Sequence, residues 1–312
     1  MTSIQLDPQA DVAATTAGTV GGEFTVAARS QRQQIISRFL HNRLALGALL
    51  VYATIVIGSF VAPHLYRWGY ADLDTTSLSR PPGSPGHPLG TADLGQDLLA
   101  ELMRGVQRST LIAFVYIVIA LAIGIVVGSV AGYFGGWADS LLMRLVDLIL
   151  TIPLLVILLV LAAKYAGGGG AVGIAVVLGV LGWLDLARIL RSQFLSLRER
   201  EFVEAAHAMG ASNRRIIFKH LIPNSLGQII VWITLGAAVS VLLEASLSFL
   251  GFGVRNDISL GKLVADGVNA ADSRPWLFYV PGLVLMVIVM CVNFIGDGVR
   301  DAFDPANSRV RA

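Results

Sequence analysis

The sequence predicts an all-α, polytopic membrane protein with six transmembrane helices. Hydrophobic residues fill 55% of the 312 positions and charged residues only 14%, where soluble domains carry about 25% charged. Mean hydropathy is +0.70. The apolar residues also fall in runs of about 20, the length that crosses a hydrocarbon core of about 30 Å as a helix. The same composition excludes a disordered chain, a coiled coil, a collagen-like repeat and a disulfide scaffold. A soluble fold of this size could not enclose so much apolar surface.

The elements follow in chain order. Residues 1–28 are small and polar, with Asp7, Asp11 and Glu23. No apolar stretch follows a basic start, so a mobile tail is expected and no cleavable signal peptide. Arg29, Arg32, Arg38 and Arg43 precede the first apolar run. The six runs are 44–62, 111–134, 141–163, 171–190, 229–250 and 277–295. Pro63 closes the first, Gly135 and Gly136 close the second, and Gly167 to Gly170 connect the third to the fourth. Pro153 lies inside the third, a position that membrane helices tolerate better than soluble ones.

Basic residues set the orientation. With the N-terminus in the cytoplasm, 15 of the 23 Lys and Arg fall inside and eight outside. Both termini are therefore expected inside; Arg outnumbers Lys 20 to 3, which hints at a bacterial source and so at its plasma (inner) membrane. The expected organisation is a cytoplasmic tail over 1–43, a first span over 44–62 and an extracytoplasmic segment over 63–108. A transmembrane domain over 109–299 and a tail over 300–312 complete it. The single Cys291 and the scattered His41, His64, His87, His207 and His220 predict neither a disulfide nor a metal site.

The inside loop carries the most information. Ser196 and Glu199 have capping-box spacing, which predicts a helix through Met209 with Gly210 as its stop. Phe202, Val203, Ala206 and Met209 share one face at helical spacing. Ala205, Ala206 and Ala208 keep the helix slim. Ser212 is placed to cap a second helix to about Leu221, with Pro223 ending it. Periodicity alone leaves two readings: an amphipathic helix on its own bundle or bilayer, or a docking knob for a cytoplasmic partner.

Glu204-Ala205-Ala206, Gly210 and Leu221-Ile222-Pro223 resemble the EAA loop of ABC importer permeases. The segment from His87 through Gly90 and Gly95 to Asp97 resembles the C-type subunits of dipeptide and oligopeptide permeases. Gly132-Tyr133-Phe134-Gly135-Gly136, the stretch from Leu142 to Pro153, Ser248 to Gly253 and Asn293 to Pro305 resemble the same family. The resemblance runs from about residue 38 to 305. It implies a type I importer, MetI-like permease fold. It implies that Glu204, Ala205, Ala206, Gly210, Leu221 and Pro223 couple the chain to an ATPase. It also implies a second permease subunit, two cytoplasmic ATP-binding subunits, an extracytoplasmic solute-binding protein and a peptide substrate. Gln96 and Asp185 depart from the family pattern, and Ile258-Ser259-Leu260-Gly261 stands where a Trp-Gly pair is common.

An enzyme is not expected. The one Gly-Lys pair, Gly261-Lys262, is followed by Leu263 and lacks the upstream glycine of a phosphate-binding loop. No catalytic constellation falls within the spans, no cofactor or metal is expected, and nothing points to nucleic acid. Arg144 with Asp147, and Asp185 with Arg188, have the i,i+3 spacing of helix-end ion pairs. Glu244 lies about 22 Å along its span from Ile229. Two readings stand for it, a bond to a neighbouring element or a place lining the pathway. For cargo, a metal such as nickel or its chelate is the alternative to a peptide. A non-transporting membrane scaffold or receptor subunit is the alternative of another class.

Overall fold

A computed structural model describes residues 31–166 and 169–303 of the chain. Helix α1 (Gln31–His41) meets α2 (Arg43–Val61) at Asn42, an extended residue whose side chain accepts from the Ala45 N–H at 3.2 Å. Pro63 sits in the 3₁₀ turn that closes α2 (Ala62–His64). Residues 1–30 and 304–312, and Gly167 and Gly168, lie outside the described residues; the C-terminal tail expected over 300–312 is still helical to Phe303.

Residues 65–97 form an ordered knob built on the His87–Asp97 segment. His87 is buried, with Nδ1 2.8 Å from Asp97 Oδ2 and Nε2 3.3 Å from Asp74 Oδ2. Trp68 stacks on its ring at 4.9 Å, and Tyr66 donates to Asp97 at 3.1 Å. Gly95, at φ +85°, turns where any Cβ would lie 2.1 Å from the Asp74 carbonyl oxygen. Only glycine meets both demands.

Asp97 then caps α3 (Leu98–Phe134), accepting from the Ala100 N–H at 2.8 Å. The helix has 37 residues, about 55 Å. It therefore starts well before the apolar run at 111 and stands out of the membrane. Gly135 and Gly136 reverse the chain straight into α4 (Gly136–Leu150).

The third span departs from the expected single helix. After α4 the chain breaks at 151–153 and resumes as α5 (Leu154–Leu161), bent by 83°. Pro153 lacks an N–H and crowds the residue before it, so α4 stops short of it. The Thr151 hydroxyl donates to the Leu148 carbonyl at 2.6 Å and satisfies one freed acceptor. A π-turn (Ala162–Ala166) follows. Among the described residues, five helices are long and apolar enough to cross a membrane, and counting the bent pair as one broken span brings the number to six.

Helix α6 (Gly170–Leu197) is the most enclosed span and packs along α3. Gly124, Gly128 and Gly132 are spaced four apart on α3. At Gly128 a Cβ would come within 2.8 Å of the Ala187 carbonyl oxygen; at Gly132 it would come within 2.6 Å of Phe194 Cβ. Small residues at this spacing let membrane helices pack backbone to backbone. Further along the seam, Gly179 meets Ile119 and Gly182 meets the Tyr116 ring.

The connection from α6 to the next span contains α7 (Glu201–Ala208) and α8 (Asn213–Ile216). A π-turn (Ile217–Leu221) and α9 (Ile222–Asn224) follow. Pro223 does not end a helix: it occupies the first turn of α9, where a missing N–H costs nothing. Helices α10 (Leu226–Phe249), α11 (Leu260–Gly267) and α12 (Trp276–Phe303) complete the fold. Leu102, Val106, Ala238, Leu260, Leu263, Ile288 and Val292 form a second core joining α3 to these three helices.

Candidate functional site

Helix α7 does not begin with a capping box. Ser196 lies inside α6, because the apolar stripe that buries Phe194 carries that helix on to Leu197. Arg200 is the extended residue before α7 and offers no side-chain cap. Glu201 and Glu204 instead place negative charge on the first turn, where the helix dipole favours it.

The far end closes as the glycine pattern predicts. Gly210 has φ +77°. Its N–H donates to the His207 carbonyl at 2.9 Å, and the Ala211 N–H donates to the Ala206 carbonyl at 3.0 Å. This pair of bonds is a Schellman cap. Ser212 accepts from the Arg215 N–H at 3.4 Å and starts α8 as expected.

The stripe of four apolar residues is divided between two surfaces. Val203 and Ala206 are 1% and 2% exposed and join the main core. Met209 is 82% exposed, and Phe202 and Phe218 are also exposed. Glu204, Ala205 and Gly210 face outward, and Pro223 is exposed. Leu221 is fully buried beneath them. Of the six expected coupling residues, Ala206 and Leu221 thus root the loop, and the other four lie on its outer surface.

Tyr133, at the end of α3, holds this loop. Its hydroxyl donates to Asn213 Oδ1 at 2.9 Å and lies 3.3 Å from His207 Nε2, and its ring stacks on His207 at 6.4 Å. Sequence spacing gave no sign of this link, which crosses 74 residues. The expected i,i+3 ion pairs also give way to bonds between helices. Arg188 on α6 pairs with Asp147 on α4, and Arg191 Nη2 donates to Asp139 Oδ2 at 2.6 Å. Asp185 remains on the exposed side of α6.

Glu244 does not open onto a surface of this chain. It is 0% exposed, and its Oε1 accepts from Ser248 at 2.7 Å and Ser259 at 2.6 Å. Its Oε2 lies beside Gly261, where a Cβ would sit 2.7 Å away. Ser259 also caps α11, and the Leu260 N–H donates to Ser109 on α3 at 3.1 Å. Glu244 thus pins the outer helix α11 across α10 and α3. Near it, Asp257 receives Arg104 at 2.9 and 3.2 Å and the Arg108 guanidinium at 2.5 Å. Burial works against the Asp257 charge. The Arg104 hydrogen bonds, the Ile258 N–H and the two arginine charges outweigh it and hold the carboxyl below the usual range.

The structure is thus an all-helical bundle of membrane-length apolar helices with a short capped helix, α7, rooted between α6 and α10. The family model of the binding-protein-dependent transport system inner membrane component matches residues 124–309. That of the N-terminal transmembrane domain of oligopeptide transport permease C matches residues 30–82. The oligopeptide transport system permease protein OppC of Mycobacterium bovis is 42% identical over 283 residues, covering 90% of this chain and 97% of that one. The Escherichia coli protein of the same name is 41% identical over 282 residues, covering 90% and 93%. A solved inward-facing MetNI methionine ABC transporter chain aligns with TM-score 0.54 at 22% identity, covering 65% of this chain and 97% of that one. The chain belongs to the family of binding-protein-dependent transport system inner membrane components. It has the MetI-like fold and is a multi-pass permease subunit of an ABC importer.

Proposed function

We propose that this chain forms half of the translocation pathway of an oligopeptide importer and couples to ATPase subunits through α7 and α8. In this reading it pairs with a second permease, two cytoplasmic ATP-binding subunits and an extracytoplasmic binding protein. Both termini lie in the cytoplasm. The relatives named for oligopeptide transport favour a peptide over a metal chelate.

One observation carries the coupling role. Helix α7 presents Glu204, Ala205 and Met209 outward from a base fixed by Val203, Ala206 and Tyr133. A short helix held this way moves with the bundle rather than fraying. ATP-driven closure of the partner subunits pushes on that face, and the bundle rocks between its two open states. Glu204 offers charge to a basic groove, Ala205 permits close approach, and Gly210 makes the turn.

The test compares Ala205→Trp with Ala206→Trp in the reconstituted transporter. Ala205→Trp should keep the subunit in the membrane, cut uptake more than about tenfold and leave ATPase activity unresponsive to loaded binding protein. Ala206→Trp should instead overpack the core and lower the amount of folded subunit. Unchanged uptake in Ala205→Trp would refute the assignment.

A further inference from the structure

Asp185 stands out among the charged residues of the spans. It lies 15 residues after Gly170 and 12 before Leu197, about 22 and 18 Å from the two ends of α6. It is also five residues, about 8 Å, before the end of the apolar run 171–190, so it lies within the span toward its Leu197 end. Its side chain is exposed, while Trp183, Leu184, Leu186 and Ala187 around it are buried. The neighbouring arginines are already bonded elsewhere: Arg188 to Asp147 and Arg191 to Asp139.

The open face continues from Asp185 toward Leu197. Arg188, Ser192 and Ser196 follow at three- and four-residue steps, all exposed, so they share one side of the helix. On the other half of α6 that same side is closed by Ile174, Leu178 and Leu181, all buried. Asp185 therefore sits where a polar open stripe ends against a packed apolar one. One turn toward the closed half is Gly182, against which the Tyr116 ring and hydroxyl lie. Tyr116 in turn stacks on Trp232 of α10 at 6.2 Å.

A carboxylate facing lipid costs about 2.5–3.5 kcal/mol at the centre of a span on insertion scales, and ionisable residues within spans face water or protein instead. We propose that the polar stripe of α6 lines the translocation route and that the Asp185 carboxylate at its closed end takes the N-terminal ammonium of a passing peptide. This rests on the peptide cargo proposed above. Every unblocked peptide carries that ammonium whatever its sequence. It is the one cation an anionic site can use without selecting side chains. A charge-assisted hydrogen bond there holds the leading end of the cargo within the span.

The experiment uses the complete reconstituted transporter with trialanine and N-acetyl-trialanine, uptake being corrected for binding-protein occupancy by each. Wild type should favour the free-amine form. Asp185→Asn should lower its uptake about tenfold, the loss of one hydrogen bond to a charged group. N-acetyl-trialanine uptake should not change, and Asp185→Glu should restore the preference. An unchanged ratio in Asp185→Asn overturns the inference alone. So does loss of the second permease from the purified Asp185→Asn complex, which would mark Asp185 as an intersubunit ion-pair residue. A wild-type complex that takes up neither peptide overturns the peptide cargo itself, and this site with it.

Discussion

Replacing Gly132 with Ala tests whether the α3–α6 seam sets the stability of the bundle. The added Cβ would sit 2.6 Å from Phe194 Cβ, 2.8 Å from the Arg191 carbonyl oxygen and 3.0 Å from Arg191 Cα. Two of these three neighbours are backbone atoms, so no rotamer change relieves them. Ordinary contact begins near 3.4 Å, and the two helices must part by about 0.8 Å or bend. Overpacking of this kind costs about 1–3 kcal/mol. Gly→Ala also removes the helix penalty of glycine, about 1 kcal/mol, which would mask part of the loss. Gly47→Ala in α2 removes that second effect from the comparison, because nothing lies within 4 Å of the Cβ it adds. Gly132→Ala should therefore unfold about 1–3 kcal/mol more easily than Gly47→Ala, several degrees lower in thermal midpoint for the purified complex in detergent. Midpoints that agree within about a degree would show that the seam has slack and would refute the close-packing argument.

Glu244→Ala strands the hydroxyls of Ser248 and Ser259, at a cost of about 1–3 kcal/mol for each. Hydrogen exchange over residues 259–267 should quicken while that over 201–208 stays the same. Asp97→Ala removes both the α3 cap and a partner of His87 and Tyr66. A loss of about 1–2 kcal/mol and faster proteolysis within 65–97 are expected, and an unchanged cleavage rate would count against the knob being clamped there. Asp257 binds its proton less readily when folded. Its contribution is therefore complete above the unfolded carboxyl value of about 4 and fades as pH falls through the lower folded value. Asp257→Asn should thus lower stability near neutrality and flatten the acid limb, the two profiles converging at low pH.

The apolar runs marked all five membrane-length helices and the bent pair α4–α5, because burial in lipid demands a contiguous stretch. They marked the ends poorly. Residues 98–110 include Glu101, Arg104, Gln107 and Arg108, so hydropathy placed them outside a helix that in fact begins at Leu98. Pro153 was visible, but whether a proline kinks a span or breaks it depends on what packs around it. Ion pairing followed tertiary neighbours: Asp147 meets Arg188, 41 residues away, in preference to Arg144 on its own helix. Helical spacing grouped Val203 and Ala206 with Met209, although two of them face the core and one faces out. A periodicity identifies a face but not what covers it. Glu244 fits the same pattern, since its partner Ser259 lies beyond the end of its own helix.

Helix α3 joins the two sides of the membrane without interruption. Asp97 anchors its start to the His87 knob, and Tyr133 anchors its end to α7. Between them runs about 54 Å of continuous helix, stiffened along its length by the glycine seam with α6. Such a rod cannot shorten, so in the coupling proposed above a push on α7 would tilt the knob at the other end, and a load on the knob would bear on α7. In the proposed importer, arrival of cargo and the power stroke would then be felt through one lever, with no relay of separate contacts to keep in step.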